Sequence, residues 1–385
     1  WFKIIQSSEQ LRTAVLELDS DRHTFPYGTD GAVIKVNLIE SHKSLGHTSK
    51  FPRWACAYKY RPEQGQTILK EVTIQVGRTG VLTPVAELEP IFISGTTVSR
   101  ATLHNQDEII RKDIRIGDTV VIEKSGEIIP AVIKVNLEKR PDKAVPFVLH
   151  SHINGKCPSC ASTISKESGF TAWRCNNSKC PDQSIAKLKH FGGRRMLELE
   201  GLGISVAEKL VTSGLITHPL DLFELRSDEL AKMELEPAKL NSGATSKPRK
   251  FGEKKAMKLI ESIQKSKDLP LSRWLHALSI PNLGESASKE CARTHRSFDE
   301  ILNSSILELI SERWEKENWI KNNPVKANKK NEDSTSILAR SSQSKEHKKR
   351  IQEINRILED YKISPELGGV ASTSLMTYLK SETGK

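Results

Sequence analysis

Apolar positions along the 385-residue chain change their period several times. In residues 1–26, Leu11, Val15, Leu16 and Leu18 recur at roughly helical intervals and predict a helix. From Tyr27 to about Leu149 the pattern becomes short runs rich in β-branched residues: AVIKV, ACAYKY, EVTIQVG, TVVIEK and AVIKVNL, punctuated by Gly and Pro. Many short strands with turn signals between them predict a small barrel or sandwich. Beyond residue 180 the period is helical again, in SIAKLKHF, SVAEKLVTSG, KKAMKLIESIQKSK and ISPELGGVASTSLMTYL. Two stretches break this helical part. Glu236–Lys250 holds Pro237, Gly243 and Pro248. About Glu315–Arg350 is rich in Lys, Asn and Ser and poor in large apolar residues, and is expected to be a solvated or disordered insertion.

Composition sharpens this picture. Hydrophobic residues make up 37% of the chain, which suits several small cores with much solvated surface. Lys and Arg number 59 against 48 Asp and Glu, a net charge of +11 that suggests a polyanionic partner. Charge alone suits ribosomal and membrane-surface proteins as well. No apolar run approaches the ~18 residues a membrane span needs, and no signal peptide opens the chain. The first residue is Trp1 rather than Met, so the sequence reads as a fragment of a longer one.

Four of the six cysteines, Cys157, Cys160, Cys175 and Cys180, fall within 24 residues with the spacing C-x2-C-x14-C-x4-C. Pro158-Ser159 and Asn176–Lys179 supply turn chemistry inside each pair. Two such knuckles can bring four thiolates to the corners of a tetrahedron, the arrangement that Zn²⁺ prefers. Four thiolates leave no open position, so the site reads as structural, and so small a stretch draws most of its folding energy from the metal. Disulfides, free thiols and an iron–sulfur cluster are the alternatives.

Two lysines stand in apolar strand segments. In DGAVIKV (30–36), Val33 and Lys35 point one way and Ala32, Ile34 and Val36 the other. In WACAYKY (54–60), Ala55, Ala57 and Lys59 share one face, opposite Trp54, Cys56, Tyr58 and Tyr60. Small alanines beside a lysine leave room for an anionic ligand. Taken singly, each lysine also suits a surface position.

The helical part repeats a small hydrophobic-Gly turn followed by a helix start: LEGLGISVAEKLV (199–211), KFGEKKAMKLI (250–260), IPNLGESASKECA (280–292) and SPELGGVASTSLM (364–376). Gly201, Gly203, Gly252, Gly284 and Gly368 would let the backbone approach a phosphate, which the free N–H groups and positive dipole end of the next helix attract. Such contacts hold a DNA backbone without reading bases. Ordinary helical hairpins use glycine in the same way.

DGAVIKV and WACAYKY together resemble the fourth and fifth motifs of the covalent nucleotidyltransferases, and more narrowly those of bacterial-type NAD⁺-dependent DNA ligases. IQVGRTGVLTPVAELEP (74–90), SRATLHNQDEI (99–109) and RIGDTVVIEKSGEIIP (115–130) are similar to the oligonucleotide-binding barrel of that family. The cysteine cluster and helical region follow in the family's order. The resemblance implies a multidomain α+β chain. Residues 1–65 would end an adenylation (nucleotidyltransferase) domain, 66–149 form the barrel, 150–182 a four-cysteine zinc ribbon, and 183–385 a helix–hairpin–helix domain with an insertion at about 315–350.

The resemblance further implies an enzyme that joins a 5′-phosphate to a 3′-hydroxyl at a nick through adenylated intermediates, in DNA replication and repair. NAD⁺ would be the AMP donor and Mg²⁺ or Mn²⁺ the catalytic cation. Lys35 and Lys59 would contact the adenylate phosphate and its transition state, and Asp30 would help to hold Mg²⁺. Arg78 in GRTG would meet phosphate near the nick, with Lys124 a further contact of the same type. Family precedent adds a monomer on nicked duplex DNA, in the bacterial cytoplasm at the nucleoid. The departures are the absence of a K-x-D-G nucleophile motif, of the domain that grips nicotinamide mononucleotide, and of a BRCT domain. The chain alone is therefore expected not to take AMP from NAD⁺. The competing expectation is a non-catalytic module that binds nicked duplex, with the lysine motifs as relics; a more distant one is an RNA ligase or capping relative.

Overall fold

The computed structural model describes residues 1–385 apart from 49–50, 61, 94, 126–128, 167–170, 236–248, 326–333, 382–383 and 385. The chain divides into two compact units. One comprises Trp1–Val76 and Gly80–Asn176; the other comprises Gly77–Thr79 and Asn177–Lys385.

The first unit opens with helix α1 (Ser8–Asp21), where the Ser7 hydroxyl accepts from the Gln10 amide at 3.2 Å and caps the free N–H groups of the first turn. The helix forms where the spacing predicts it; of the four apolar positions named for it Leu18 is buried with Ala14, Leu11 and Val15 are half-buried, and Leu16 is exposed. Strand β1 (Gly31–Lys35), helix α2 (Glu40–Leu45) and strand β2 (Ala55–Lys59) follow. β1 and β2 form an antiparallel two-stranded sheet with Gly31 opposite Lys59 and Lys35 opposite Ala55.

A closed five-stranded barrel comes next, in the order β3-β4-β5-β8-β7. Its strands are β3 (Gln64–Val76), β4 (Leu82–Ile93), β5 (Thr96–Thr102), β7 (Thr119–Ser125) and β8 (Ile129–Val135). Helix α3 (Gln106–Arg111) and the short strand β6 (Arg115–Ile116) lie in sequence between β5 and β7. Leu69, Val72, Ala86, Val120, Ile122 and Val132 alternate along the strands and fill the interior. The barrel is braced by Asp118, which is fully buried: Arg140 donates to both carboxylate oxygens, at 2.9 and 3.0 Å, and the Arg115 amide donates to one of them at 2.8 Å. Strand β9 (Val145–Pro146) pairs with β6, and helix α4 (Leu149–His152) leads into the two-stranded ribbon β10 (Ile164–Ser165) and β11 (Arg174–Cys175).

The second unit is helical. Its elements are α5 (Pro181–Phe191), α6 (Ile204–Thr212), α7 (Ser227–Lys232), the ladder β12 (Glu234–Leu235) with β13 (Arg249–Lys250), α8 (Glu253–Ser266), α9 (Leu271–Ala277), α10 (Glu285–Thr294), α11 (Phe298–Leu302), α12 (Ser305–Asn322), α13 (Ser334–Glu359) and α14 (Gly369–Lys380). Two apolar clusters hold it. One centres on Phe191, Leu210, Leu259 and Ile263, the other on Leu275, Ile301, Ile310, Ile354 and Leu375. In the second cluster α12 meets α14 so closely that a β-carbon at Gly369 would fall 1.9 Å from the Trp314 β-carbon.

One expectation needs correction. Residues 315–350 are not a disordered insertion where they are described: 315–322 continue α12 and 334–350 open α13. The two helices meet through a narrow stripe rather than a broad apolar face. Arg350 donates to both Glu312 oxygens, at 2.9 and 3.0 Å, and Trp319 stands edge-on to His347 at 4.8 Å. Most of the Glu236–Lys250 break lies outside the described residues. No helix among those described is long and apolar enough to cross a membrane.

Candidate functional site

The β1–β2 sheet puts two of the sequence-derived lysines on one surface. Residues directly opposite in an antiparallel pair share a face, so Gly31, Val33 and Lys35 stand with Lys59, Ala57 and Ala55. The two ammonium-bearing residues occupy opposite ends of that face, four strand positions or about 13 Å apart. Ala57 and the exposed Val33 lie between them, with Gly31 and Ala55 across from the lysines. Gly31 is needed for the pairing itself, because a β-carbon there would fall 2.1 Å from the Tyr58 carbonyl oxygen.

Asp30, just ahead of β1, accepts from the Lys59 ammonium. This hydrogen bond and the adjacent charge hold the Asp30 carboxyl below its ordinary range. Both side chains are more than half exposed. Lys35 also lines a cavity of about 1070 Å³ bounded by the N-terminal segment, α1 and β1, with Leu11, Val15, Ala32 and Ile34. Lys59 is not among its lining residues. The sheet therefore offers a shelf of small residues with, among the described residues, an unpaired cation at one end and a carboxylate-paired cation at the other. Such a shelf can bind an anion and offset charge that grows on it.

The four cysteines converge as their spacing predicts. Their sulfurs all lie within 4.8 Å of one another, and Cys160 Sγ is 3.5 Å from Cys175 Sγ. Backbone bonds shape the knuckles: the Ala161 amide donates to the Cys157 carbonyl at 2.9 Å, and the Cys180 amide to the Asn177 carbonyl at 3.1 Å. Burial pushes the Cys157 thiol up, which metal coordination would reverse. The donor set and its compactness fit a tetrahedral thiolate-bound ion.

Arg78 lies in the turn Gly77–Thr79 and is half-buried, which lowers the pKa of its guanidinium. It has company that sequence reading missed. His190 and His276 face each other edge-on at 5.1 Å, and His190 Nε2 donates to the His276 carbonyl at 2.9 Å. Burial, then the positive charge of Arg78, lower the pKa of both imidazoles. The two histidines are 86 residues apart, with no shared motif to flag them. Lys124 is 6% exposed and donates to the Thr96 hydroxyl at 3.0 Å, so its ammonium is turned to β5, a strand not adjacent to its own in the barrel.

Three of the glycine turns share one geometry, with Gly203, Gly284 and Gly368 extended at φ −80°, −84° and −81°, while Gly252 is left-handed at φ +87°. Gly203, Gly252, Gly284 and Gly368 are the N-cap residues of α6, α8, α10 and α14, and none of these helices has a side-chain cap. At Gly203, Gly252 and Gly284 none of the described residues lies within 4 Å of where a β-carbon would stand. Gly201 precedes the first of them with a left-handed φ of +93°. Four helices thus begin with uncapped N–H groups, an arrangement that attracts anions.

Residues 2–63 match the family model described as the NAD-dependent DNA ligase adenylation domain, and residues 66–144 that of the NAD-dependent DNA ligase OB-fold domain. A DNA ligase of Akkermansia muciniphila is 46% identical over 393 residues, covering 98% of this chain and 48% of the relative. DNA ligase 1 of Opitutus terrae is 42% identical over 80% of the chain and 42% of its own length. A DNA ligase of Chlamydia felis is 44% identical over 79% of the chain and 43% of its own length. The chain spans about half the length of the curated relatives it matches.

Proposed function

We propose that this chain, which belongs through its adenylation and OB-fold domains to the NAD-dependent DNA ligases, acts in the sealing of nicks in duplex DNA. It would work as a monomer, with NAD⁺ as the source of AMP. The observation that carries the reading is the shared face of Lys35 and Lys59 across a shelf of small residues, within residues that match the adenylation domain.

In each step of nick sealing, phosphorus passes through a crowded, highly charged state. Two ammonium groups on a rigid sheet can bracket a phosphate and offset the charge that grows on its non-bridging oxygens. Lys35 supplies its charge without a carboxylate partner among the described residues, while Lys59 arrives with Asp30 bonded to it. A divalent cation would add further charge compensation, with Asp30, bonded to Lys59 beside this face, a carboxylate to hold it. The four clustered cysteines would hold Zn²⁺ as a structural ion. The uncapped starts of α6, α8, α10 and α14 would act as helix–hairpin–helix turns on backbone phosphates, with Arg78 a further phosphate contact.

The test uses a nicked duplex whose 5′ end already carries AMP, incubated with the chain and Mg²⁺ in the absence of NAD⁺. Joined strands, lost on Lys35→Ala or Lys59→Ala, support the reading. Tight nick binding without joining in any condition converts it to that of a non-catalytic nick-binding module.

A further inference from the structure

Helix α13 sorts its charges in a way that the glycine turns do not account for. Toward α12 it buries Ser344, Ile354 and Leu358 and presents Arg350 to Glu312. On the opposite side Lys345, Lys349 and Arg356 fall on one exposed stripe, with Lys348 at its edge. None of these four makes an ion pair among the described residues, whereas Arg350 engages both Glu312 and Glu353. The stripe runs about 16 Å along the helix axis. Glu346 and Glu353 border it on the side of Arg350, which takes up Glu353 at 3.3 Å. Within the stripe, between Lys349 and Arg356, stands the neutral Gln352.

We propose that this face of α13 is a further contact for the phosphate backbone of duplex DNA, separate from the four glycine turns. The inference rests on the nick-sealing reading for its ligand and deepens it. Duplex DNA carries one negative charge per ~1.7 Å of axis, so a stripe of this length spans about ten phosphates on two strands. Four exposed ammonium and guanidinium groups without ion-pair partners among the described residues lose little by turning to them. Glu359 closes the C-terminal end of this face and forms no ion pair with the four cations among the described residues, so the stripe keeps a positive excess. The helix presents no exposed aromatic side chain there among the described residues, so the contact is with the backbone and is indifferent to sequence.

The test is a fluorescence anisotropy titration of a nicked duplex as a function of salt, with the full chain and with K345Q/K348Q/K349Q/R356Q. All four positions are exposed, and a melting curve verifies that the variant folds; K345Q/K349Q serves if it does not. The quadruple variant is expected to bind roughly tenfold or more weakly, and its log–log salt slope to be shallower by about one for each cation removed. The loss should be equal on duplexes of unrelated sequence. Unchanged affinity and slope overturn the inference and leave the nick-sealing reading standing. A wild-type chain that does not bind nicked duplex overturns both.

Discussion

Lys35 and Lys59 project from the same face of the β1–β2 sheet, each across from a residue with little or no side chain: Ala55 opposite Lys35, Gly31 opposite Lys59. The pair is fixed by strand register, so neither lysine can leave the face without unpairing the sheet. Replacing either with Ala should lower single-turnover joining of an adenylated nick by about 10²- to 10³-fold, the usual loss for one group that stabilises transition-state charge. The melting temperature should hardly move, because both side chains are exposed. Joining that survives both substitutions would remove the chemistry from this face.

The Asp30–Lys59 bond has a pH signature. The folded carboxyl is held below its ordinary value of 3.8 by the Lys59 hydrogen bond. A carboxyl lowered in this way favours the folded sheet above the ordinary aspartate range. That contribution fades as pH falls through the folded midpoint. Lys59→Met should move the Asp30 midpoint up toward 3.8 in a carboxyl-resolved NMR titration. An Asp30 midpoint that stays put in the variant would mean that the bond does not form in solution.

At Gly203 and Gly284 a methyl group meets none of the described residues, and φ is −80° and −84°. Alanine should therefore cost the fold no more than about 1 kcal/mol at these N-caps. It would stand where a phosphate must approach. Each Gly→Ala change should weaken nicked-duplex binding roughly tenfold, the worth of one charge-assisted hydrogen bond, at nearly constant stability. An equal affinity for wild type and the double variant would leave these turns as chain reversals only.

Much of this was legible in residue order. Alternation in 30–36 and 54–60 named the faces of both lysines, because strand side chains have a period of two whatever they pair with. The cysteine spacing foretold convergence because a four-thiolate site is local. Other features depend on contacts that spacing does not encode. Only the three-dimensional fold sets His190 and His276 beside Arg78. Lys124 alternates correctly along its strand, yet its amine is turned to Thr96 and buried. The α12–α13 pair was misjudged because two long helices can pack through a narrow stripe of Ile354, Leu358 and an Arg350–Glu312 bridge. A count of large apolar residues undervalues such a stripe.

Arg140 carries a stability prediction for the barrel. Asp118 is fully buried and takes two hydrogen bonds from this one guanidinium, whose own pKa is raised by them. Arg140→Met removes the donor and leaves a buried carboxylate with backbone N–H support alone. Breaking such a pair from one side costs about 3–5 kcal/mol. The urea midpoint should fall accordingly, and Arg140→Met combined with Asp118→Leu should recover part of the loss. A single variant within about 0.5 kcal/mol of wild type would show the ion pair to be incidental.

Metal removal should be readable from thiol chemistry, since the six cysteines are free and differ sharply in surroundings. Cys56 is exposed and should react with an aromatic disulfide reagent at once. Cys291 is buried, and burial pushes its thiol up to about 12, so it supplies almost no thiolate at neutral pH. Cys157, Cys160, Cys175 and Cys180 would be shielded for a different reason, as ligands of one Zn²⁺. The zinc-loaded chain should therefore titrate one fast thiol, and a chelator should release one equivalent of zinc together with four more reactive thiols. The local ladder of Ile164 with Cys175 should loosen in step, because so small a ribbon has little else to hold it. If chelation leaves the thiol count at one and no zinc appears, the cluster is held by packing alone and the metal assignment fails.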